Sequence, residues 1–212
     1  MSKAYQITRL PAGTGPSSID WNRIPAARVS TYKWVHGYAP AVMAKMAYVE
    51  GECFVLHMVC GEERPLVTYR EYNEPVYKDS CMEFFAIWDT GSDRYVNMEM
   101  NAAGTLLSSI GADRHARTPV LDVCGEIFPV KGEIMSDAWS VTATIPLSMI
   151  AALYGTDAES YRARLVPGYT LRGNFYKCGD ETPIPHFGMW NEVGTTAPDF
   201  HRPEFFGDLV LT

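Results

Sequence analysis

The sequence predicts a mostly β protein, an antiparallel two-sheet β-sandwich carrying one short helix. Short β-prone runs recur along the chain at the spacing of sandwich strands. Aromatic residues make up 12 % of the chain, with 12 Tyr and 5 Trp, which suits strands and stacking surfaces. Only one segment carries the punctuation of a helix.

Residues 1–27 hold Pro11, Gly13, Gly15, Pro16 and Pro25 and read as an extended lead-in, with residues 28–212 as one sandwich domain. Strands are expected at 28–35, 42–49, 53–60, 66–70, 81–88, 95–101, 105–110, 138–145, 170–178 and 208–211. The clearest alternation puts Trp139, Val141, Ala143 and Ile145 on one face and Ser140, Thr142 and Thr144 on the other. The loop Asp89-Thr-Gly-Ser-Asp93 separates two strong runs as a hairpin would. The helix is expected after Pro146, with Met149, Ile150 and Leu153 on one face and Gly155 at its end.

With a net charge of −7 and no Lys/Arg cluster, the chain offers nothing to nucleic acid or to an anionic membrane. It has no apolar run long enough to span a bilayer, and its first residues lack the apolar core of a signal peptide. The five cysteines, Cys53, Cys60, Cys81, Cys124 and Cys178, are odd in number and scattered. They read as free thiols of a cytoplasmic protein.

Nucleotide-binding, serine-hydrolase and zinc-protease motifs are absent. The scattered His36, His57, His115, His186 and His201, without C-x-x-C pairs, give a zinc site little warrant. Asp79 and Glu83 share a face of one expected strand, with Glu99 in the next. Such carboxylates could act as acid and base on a glycoside. Hydrogen bonding to a ligand, or pairing with Arg70, Arg172 or Lys177, is the better reading, because no other part of an enzyme is visible.

Asn97, Glu99 and Asn101 alternate with Met98 and Met100; Arg172, Asn174 and Tyr176 repeat the pattern late in the chain. The cheaper parity buries the methionines and turns the amides and Glu99 towards a groove shared with Glu83. Arg172 and Lys177 have opposite parity, so only one of them can join that face. Amide, carboxylate and guanidinium groups answer hydroxyls that both donate and accept, as sugars do. Tyr69, Tyr72, Tyr77, Trp190, Phe200, Phe205 and Phe206 lie in loop-like segments where rings can stack on a sugar, whereas Trp34, Trp88 and Trp139 belong to strands and the core.

Several stretches together resemble carbohydrate-binding module family 9, in the family 9-like form found in bacteria. They are Asp79-Ser-Cys-Met-Glu-Phe-Phe85, Tyr95-Val-Asn-Met-Glu-Met-Asn-Ala-Ala-Gly-Thr105, Trp139 through Pro146, Gly173-Asn-Phe-Tyr-Lys-Cys178 and Pro198-Asp-Phe-His-Arg-Pro-Glu-Phe-Phe-Gly207. The resemblance implies a DOMON-related β-sandwich that binds a mono- or oligosaccharide without catalysis and needs no cofactor. It implies an aromatic clamp, whose two positions fall on Tyr77 and Phe200, and polar contacts from Glu83, Glu99 and Lys177. Neither clamp ring is a tryptophan, and Trp190 is the nearest large ring that could compensate. Relatives can carry structural calcium, for which the Asp89–Asp93 loop is the candidate, a plain turn being its other reading. Two further functions stay open at this point: a hydrolase using the paired carboxylates, and a haem or redox domain ligating iron through Met98 and His186.

Overall fold

The structure, a computed structural model, describes residues 2–212. Its strands are β1 (Ala4–Leu10), β2 (Ala27–Val29), β3 (Thr31–Tyr32), β4 (Val42–Val49), β5 (Cys53–Cys60), β6 (Cys81–Ile87) and β7 (Tyr95–Asn101), followed by β8 (Leu106–Gly111), β9 (Thr118–Pro119), β10 (Val130–Ile134), β11 (Trp139–Pro146), β12 (Thr170–Cys178), β13 (Phe187–Met189) and β14 (Gly207–Leu211). Three α-helices join them: α1 (Val120–Cys124), α2 (Leu147–Leu153) and α3 (Ala158–Arg164).

One layer runs β10-β11-β5-β4-β1, and the other runs β1-β14-β12-β6-β7-β8-β9. Strand β1 belongs to both. Its first half pairs with β14 and its second half with β4, parallel in each case, so the two sheets curl into one another at this edge. The antiparallel sandwich expected from sequence is present, with β1 as its parallel exception.

That strand corrects the reading of residues 1–27 as a mere lead-in. Tyr5 and Ile7 are buried while Ala4 and Gln6 face out, a two-residue period too short to stand out beside Pro11. The expected strand at 66–70 is absent for a different reason. Its backbone donors are taken by side chains: Thr68 and Tyr69 N–H donate to the Asp79 carboxylate, and Leu66 N–H to Ser80 Oγ. A segment bonded this way has no ladder left to make. The run at 28–35 splits into β2 and β3, and Trp34 beyond them takes a positive φ of 68°. One expected helix becomes three. The helix after Pro146 is α2, with Met149, Ile150 and Leu153 buried. Helix α3 starts at Asp157, whose side chain accepts from Ser160 N–H at 2.8 Å, an N-cap signal.

The main core lies between the sheets. Met82, Phe84, Ala86 and Trp88 from β6 and its exit meet Val96, Met98 and Met100 from β7 there. Trp139, Val141, Ala143 and Ile145 close it from β11, as their alternation predicts. Trp34 instead packs half-buried on a second cluster. Every residue of β6 and β7 is buried, because the outer face of their sheet is covered too. There Phe85, Ile87, Tyr95 and Tyr176 pack against Val76, Val193, Phe200 and Phe206 from the loops laid over the sheet. The polar half of the β6–β7 alternation therefore points into a loop-covered cleft.

Candidate functional site

The register of β6, β7 and β12 builds the floor of that cleft. Glu83 stands directly opposite Glu99 on β7 and opposite Tyr176 on β12. Asn97 stands opposite Phe85 on one side and Ser109 of β8 on the other. Loops bring Tyr77, Arg114, Arg117, Asp180, Phe187, Asp199, Phe200 and His201 around this floor, and together they enclose a cavity of about 310 Å³. Five of the residues singled out in the sequence meet here: Tyr77, Glu83, Asn97, Glu99 and Phe200.

The expected parity holds. Met98 and Met100 are in the core while Asn97 and Glu99 face the cavity. Asn97 Nδ2 donates to Glu99 Oε1 at 3.0 Å, and its Oδ1 accepts two bonds from the Arg117 guanidinium at 2.7 and 3.0 Å. The amide orientation is thus set from both ends. Arg117 also donates to the carbonyls of Tyr95, Ser109 and Asp113 and lies 4.1 Å from the centre of the Tyr95 ring.

Burial dominates the electrostatics of the floor. It pushes the Glu83 carboxyl well above its ordinary range, helped by Cys178 and Glu99 beside it. It raises Glu99 to about 7, against the opposing effects of the Asn97 hydrogen bond and the Arg117 charge. His201, whose Nε2 lies 4.0 Å from Glu99 Oε1, is lowered to about 3 by burial and then by the charges of Arg117 and Arg114. Its imidazole is neutral near pH 7, so the contact with Glu99 is polar rather than ionic. Tyr95 Oη lies 2.8 Å from His201 Nδ1 and fixes the ring.

The aromatic wall is uneven. Tyr77 is 37 % exposed and Phe187 half-buried. Phe200 is only 8 % exposed, because Tyr176 stacks on it at 4.1 Å between centroids and 13° between planes. One of its faces is therefore already spent on packing.

Four expected site residues lie elsewhere. Asn101 shares the face of Glu99, but its Nδ2 donates to Tyr69 O and Asp79 Oδ2 and its Oδ1 accepts from Ala103 and Thr105 N–H. All its capacity goes into holding two loops. Arg172 reaches the carbonyls of Pro203 and Phe206 at 3.2 and 3.1 Å and braces the loop before β14. Lys177 has the inward parity and is fully buried, 3.4 Å from Glu62 and 2.7 Å from His186 Nε2. Trp190 packs in the main core against Phe175, over Gly207, where an added Cβ would come within 2.5 Å of its ring.

The same geometry bears on the other functions considered. Asp79 is fully buried and spends its carboxylate on Thr68, Tyr69 and Asn101, which makes it a loop anchor. Both nitrogens of His186 are engaged, by Lys177 and by Ile184 O, and Met98 is packed in the core; neither is free to ligate iron. Asp89 accepts from Gly91 N–H and pairs with Arg164, the bonding of an anchored turn. Among the described residues no helix is long and apolar enough to cross a membrane, and all five cysteines are free thiols.

Arg117, Arg114, Phe187 and His201 are the residues that sequence reading misses. Only His201 sits in a stretch that carries the family resemblance. The others come from segments with no periodicity, and contacts distant in the chain bring them to the floor.

Fold and cleft together define a β-sandwich ligand-binding domain, with carboxyl and amide groups on one sheet face and rings along its rim. The chain belongs to carbohydrate-binding family 9, whose model matches residues 14–211. Among solved structures it is similar to a Bacteroides uniformis protein described as a candidate carbohydrate-binding protein, with 28 % identity, all of both chains covered and a TM-score of 0.77. It also resembles a family 9 carbohydrate-binding module of Caldicellulosiruptor kristjanssonii in complex with glucose, at 13 % identity and a TM-score of 0.68 over 99 % of this chain and 96 % of that one. The complex of a module from the same organism with cellotriose gives 12 %, 0.65, 99 % and 94 %. At these low identities the likeness is one of fold. No curated protein matches the chain.

Proposed function

We propose that this protein binds a mono- or short oligosaccharide in the cleft over β6 and β7 and leaves its bonds intact. The observation that carries the reading is the meeting of Glu83, Asn97 and Glu99 with the rings of Tyr77 and Phe187 around one cavity. Hydroxyl groups need partners that donate as well as accept. The Asn97 amide and two carboxyls whose burial favours their protonated forms, Glu83 and Glu99, supply both within one small floor. The rings offer flat apolar surface to the C–H face of a sugar. A cavity of about 310 Å³ is at the small end of ligand pockets, roughly 300–1,000 Å³. That size suits one or two sugar rings better than a long chain.

The test is a glycan array followed by calorimetric titration of the hits. Saturable binding that falls sharply in Glu99→Ala supports the reading. A folded protein that retains no glycan, or one whose binding ignores Glu99→Ala, overturns it.

A further inference from the structure

Beneath the cleft, two thiols that the sugar reading does not use gather beside the Glu83 carboxyl. Cys81 and Cys178 are directly opposed across β6 and β12, and Glu83 follows two residues after Cys81 on the same face. Cys178 Sγ lies 2.9 Å from Glu83 Oε1, and one donor atom from each of the three residues falls within 4.8 Å of the others. All three are buried, yet Glu83 and Cys178 line the cavity and so have a route from solvent.

We propose that Cys81, Cys178 and Glu83 form a binding site for a thiophilic divalent cation of the zinc type, with its fourth coordination position on the cavity side. Two thiolates select soft or borderline metals over calcium or magnesium, which want oxygen. A tetrahedral zinc ion with Zn–S bonds of ~2.3 Å sets its two sulfurs ~3.8 Å apart. Donors already held within 4.8 Å need only small side-chain shifts to reach that geometry, the 2.9 Å contact between Cys178 Sγ and Glu83 Oε1 opening as the ion enters. Strand pairing supplies it rigidly, since Cys81 and Cys178 are fixed by the ladder and not by a loop.

Metal binding at these donors is linked to proton release. Burial first, with the neighbouring acidic groups adding to it, holds Cys178 and Glu83 well above their ordinary ranges and Cys81 at about 11. Burial thus favours the protonated form of the metal-free cluster. A dication replaces those protons and returns them to solvent, so affinity rises with pH. The site shares Glu83 with the proposed sugar floor, and titrating the metal in the absence of glycan tests it separately.

The experiment is titration of the reduced protein with Co²⁺, a coloured stand-in for zinc. One equivalent is expected to give thiolate-to-cobalt charge transfer and the visible bands of tetrahedral cobalt, both erased by Zn²⁺. The signal is expected to vanish in Cys81→Ser and Cys178→Ser and to persist in Cys53→Ser, whose thiol lies at the start of β5 in a separate cluster. Glu83→Gln keeps both thiols and the shape of the site, and is expected to weaken Co²⁺ binding by about tenfold or more. It carries the test if the cysteine variants lose their near-ultraviolet circular dichroism. A folded, fully reduced protein without thiolate–cobalt absorption overturns the proposal, as does full Co²⁺ affinity in Glu83→Gln.

Discussion

Glu83 and Glu99 face each other across adjacent strands on the floor of one cleft, and burial displaces both carboxyls upward to different extents. Glu83 is displaced upward first by burial and then by Cys178 and Glu99 beside it. The folded value of Glu99, about 7 against an ordinary 4.5, means the native state holds a proton that the unfolded chain releases. Its effect on stability is therefore absent below pH 4.5, grows unfavourable as pH rises from there towards 7, and is complete above 7. The displacement corresponds to a penalty on the order of 3 kcal/mol above pH 7. Glu99→Gln keeps an oxygen for Asn97 Nδ2 and cannot ionise. Urea denaturation should find the variant equal to the parent at pH 4 and more stable at pH 8. Equal stability at both values would show that Glu99 titrates normally.

The rings of the cleft should divide by exposure. Tyr77→Ala and Phe187→Ala should each weaken glycan binding by about 1 kcal/mol, the scale of an aromatic contact, with little change in melting. Phe200→Ala removes the stacking partner of Tyr176 and should cost about 3–5 kcal/mol of stability. Calorimetry and thermal melting separate the two classes. A Phe200→Ala protein that melts with the parent would mean that the ring serves only the ligand.

No glycosidic bond should be cleaved. A glycosidase needs its acid and its nucleophile or base on either side of the scissile bond. Glu83 and Glu99 rise shoulder to shoulder from one sheet face, so a sugar resting over them meets both from the same side. Incubation with aryl glycosides and oligosaccharides should release no product above buffer. Turnover abolished by Glu83→Gln would reverse this conclusion.

Period-2 logic made much of this legible in the sequence, and distance along the chain hid the rest. The Met98/Met100 alternation with Asn97/Glu99 settles which face is core, because burying the amides between sheets would demand partners that methionine does not. The same parity argument shows that Arg172 and Lys177 diverge. It does not show which one lies inside, since a lysine facing the core is unlikely until its partner Glu62 is known. Arg117 immediately precedes β9, a two-residue strand that has no pattern of its own. Strand β1 is missed because its alternation is short and its first partner, β14, lies at the other end of the chain.

The buried Lys177 ion pair should be purely structural. Glu62 also accepts from Trp139 Nε1 and Ser80 Oγ, each at 2.9 Å, so the network is closed on the inner side of β12. Lys177→Met leaves the carboxylate without its cation and should cost about 3–5 kcal/mol. Adding Glu62→Gln neutralises the stranded charge, keeps an acceptor for Trp139 and should recover part of the loss. Glycan affinity should stay at the parental level in the double variant. A selective loss of affinity there would place Lys177 in the ligand's path.

Arg117 should matter more for binding than its partial burial suggests. Its guanidinium fixes Asn97 Oδ1 through two bonds and ties the carbonyls of Tyr95, Ser109 and Asp113 together. A lysine carries the same charge but has no planar fork with which to meet these acceptors at once. In Arg117→Lys the Asn97 amide loses one of its two anchors, and Glu99 loses a donor of fixed orientation. Each bond to a charged group is worth about 1.5–3 kcal/mol in general, so weakening even one should cut glycan affinity by about tenfold. Charge is conserved in this variant, so a purely electrostatic role for Arg117 would leave affinity unchanged. Hydrogen exchange gives a second reading: amides of β7 and β8 should exchange faster in Arg117→Lys. Parental affinity with unchanged exchange would mean that Asn97 is held by Glu99 alone.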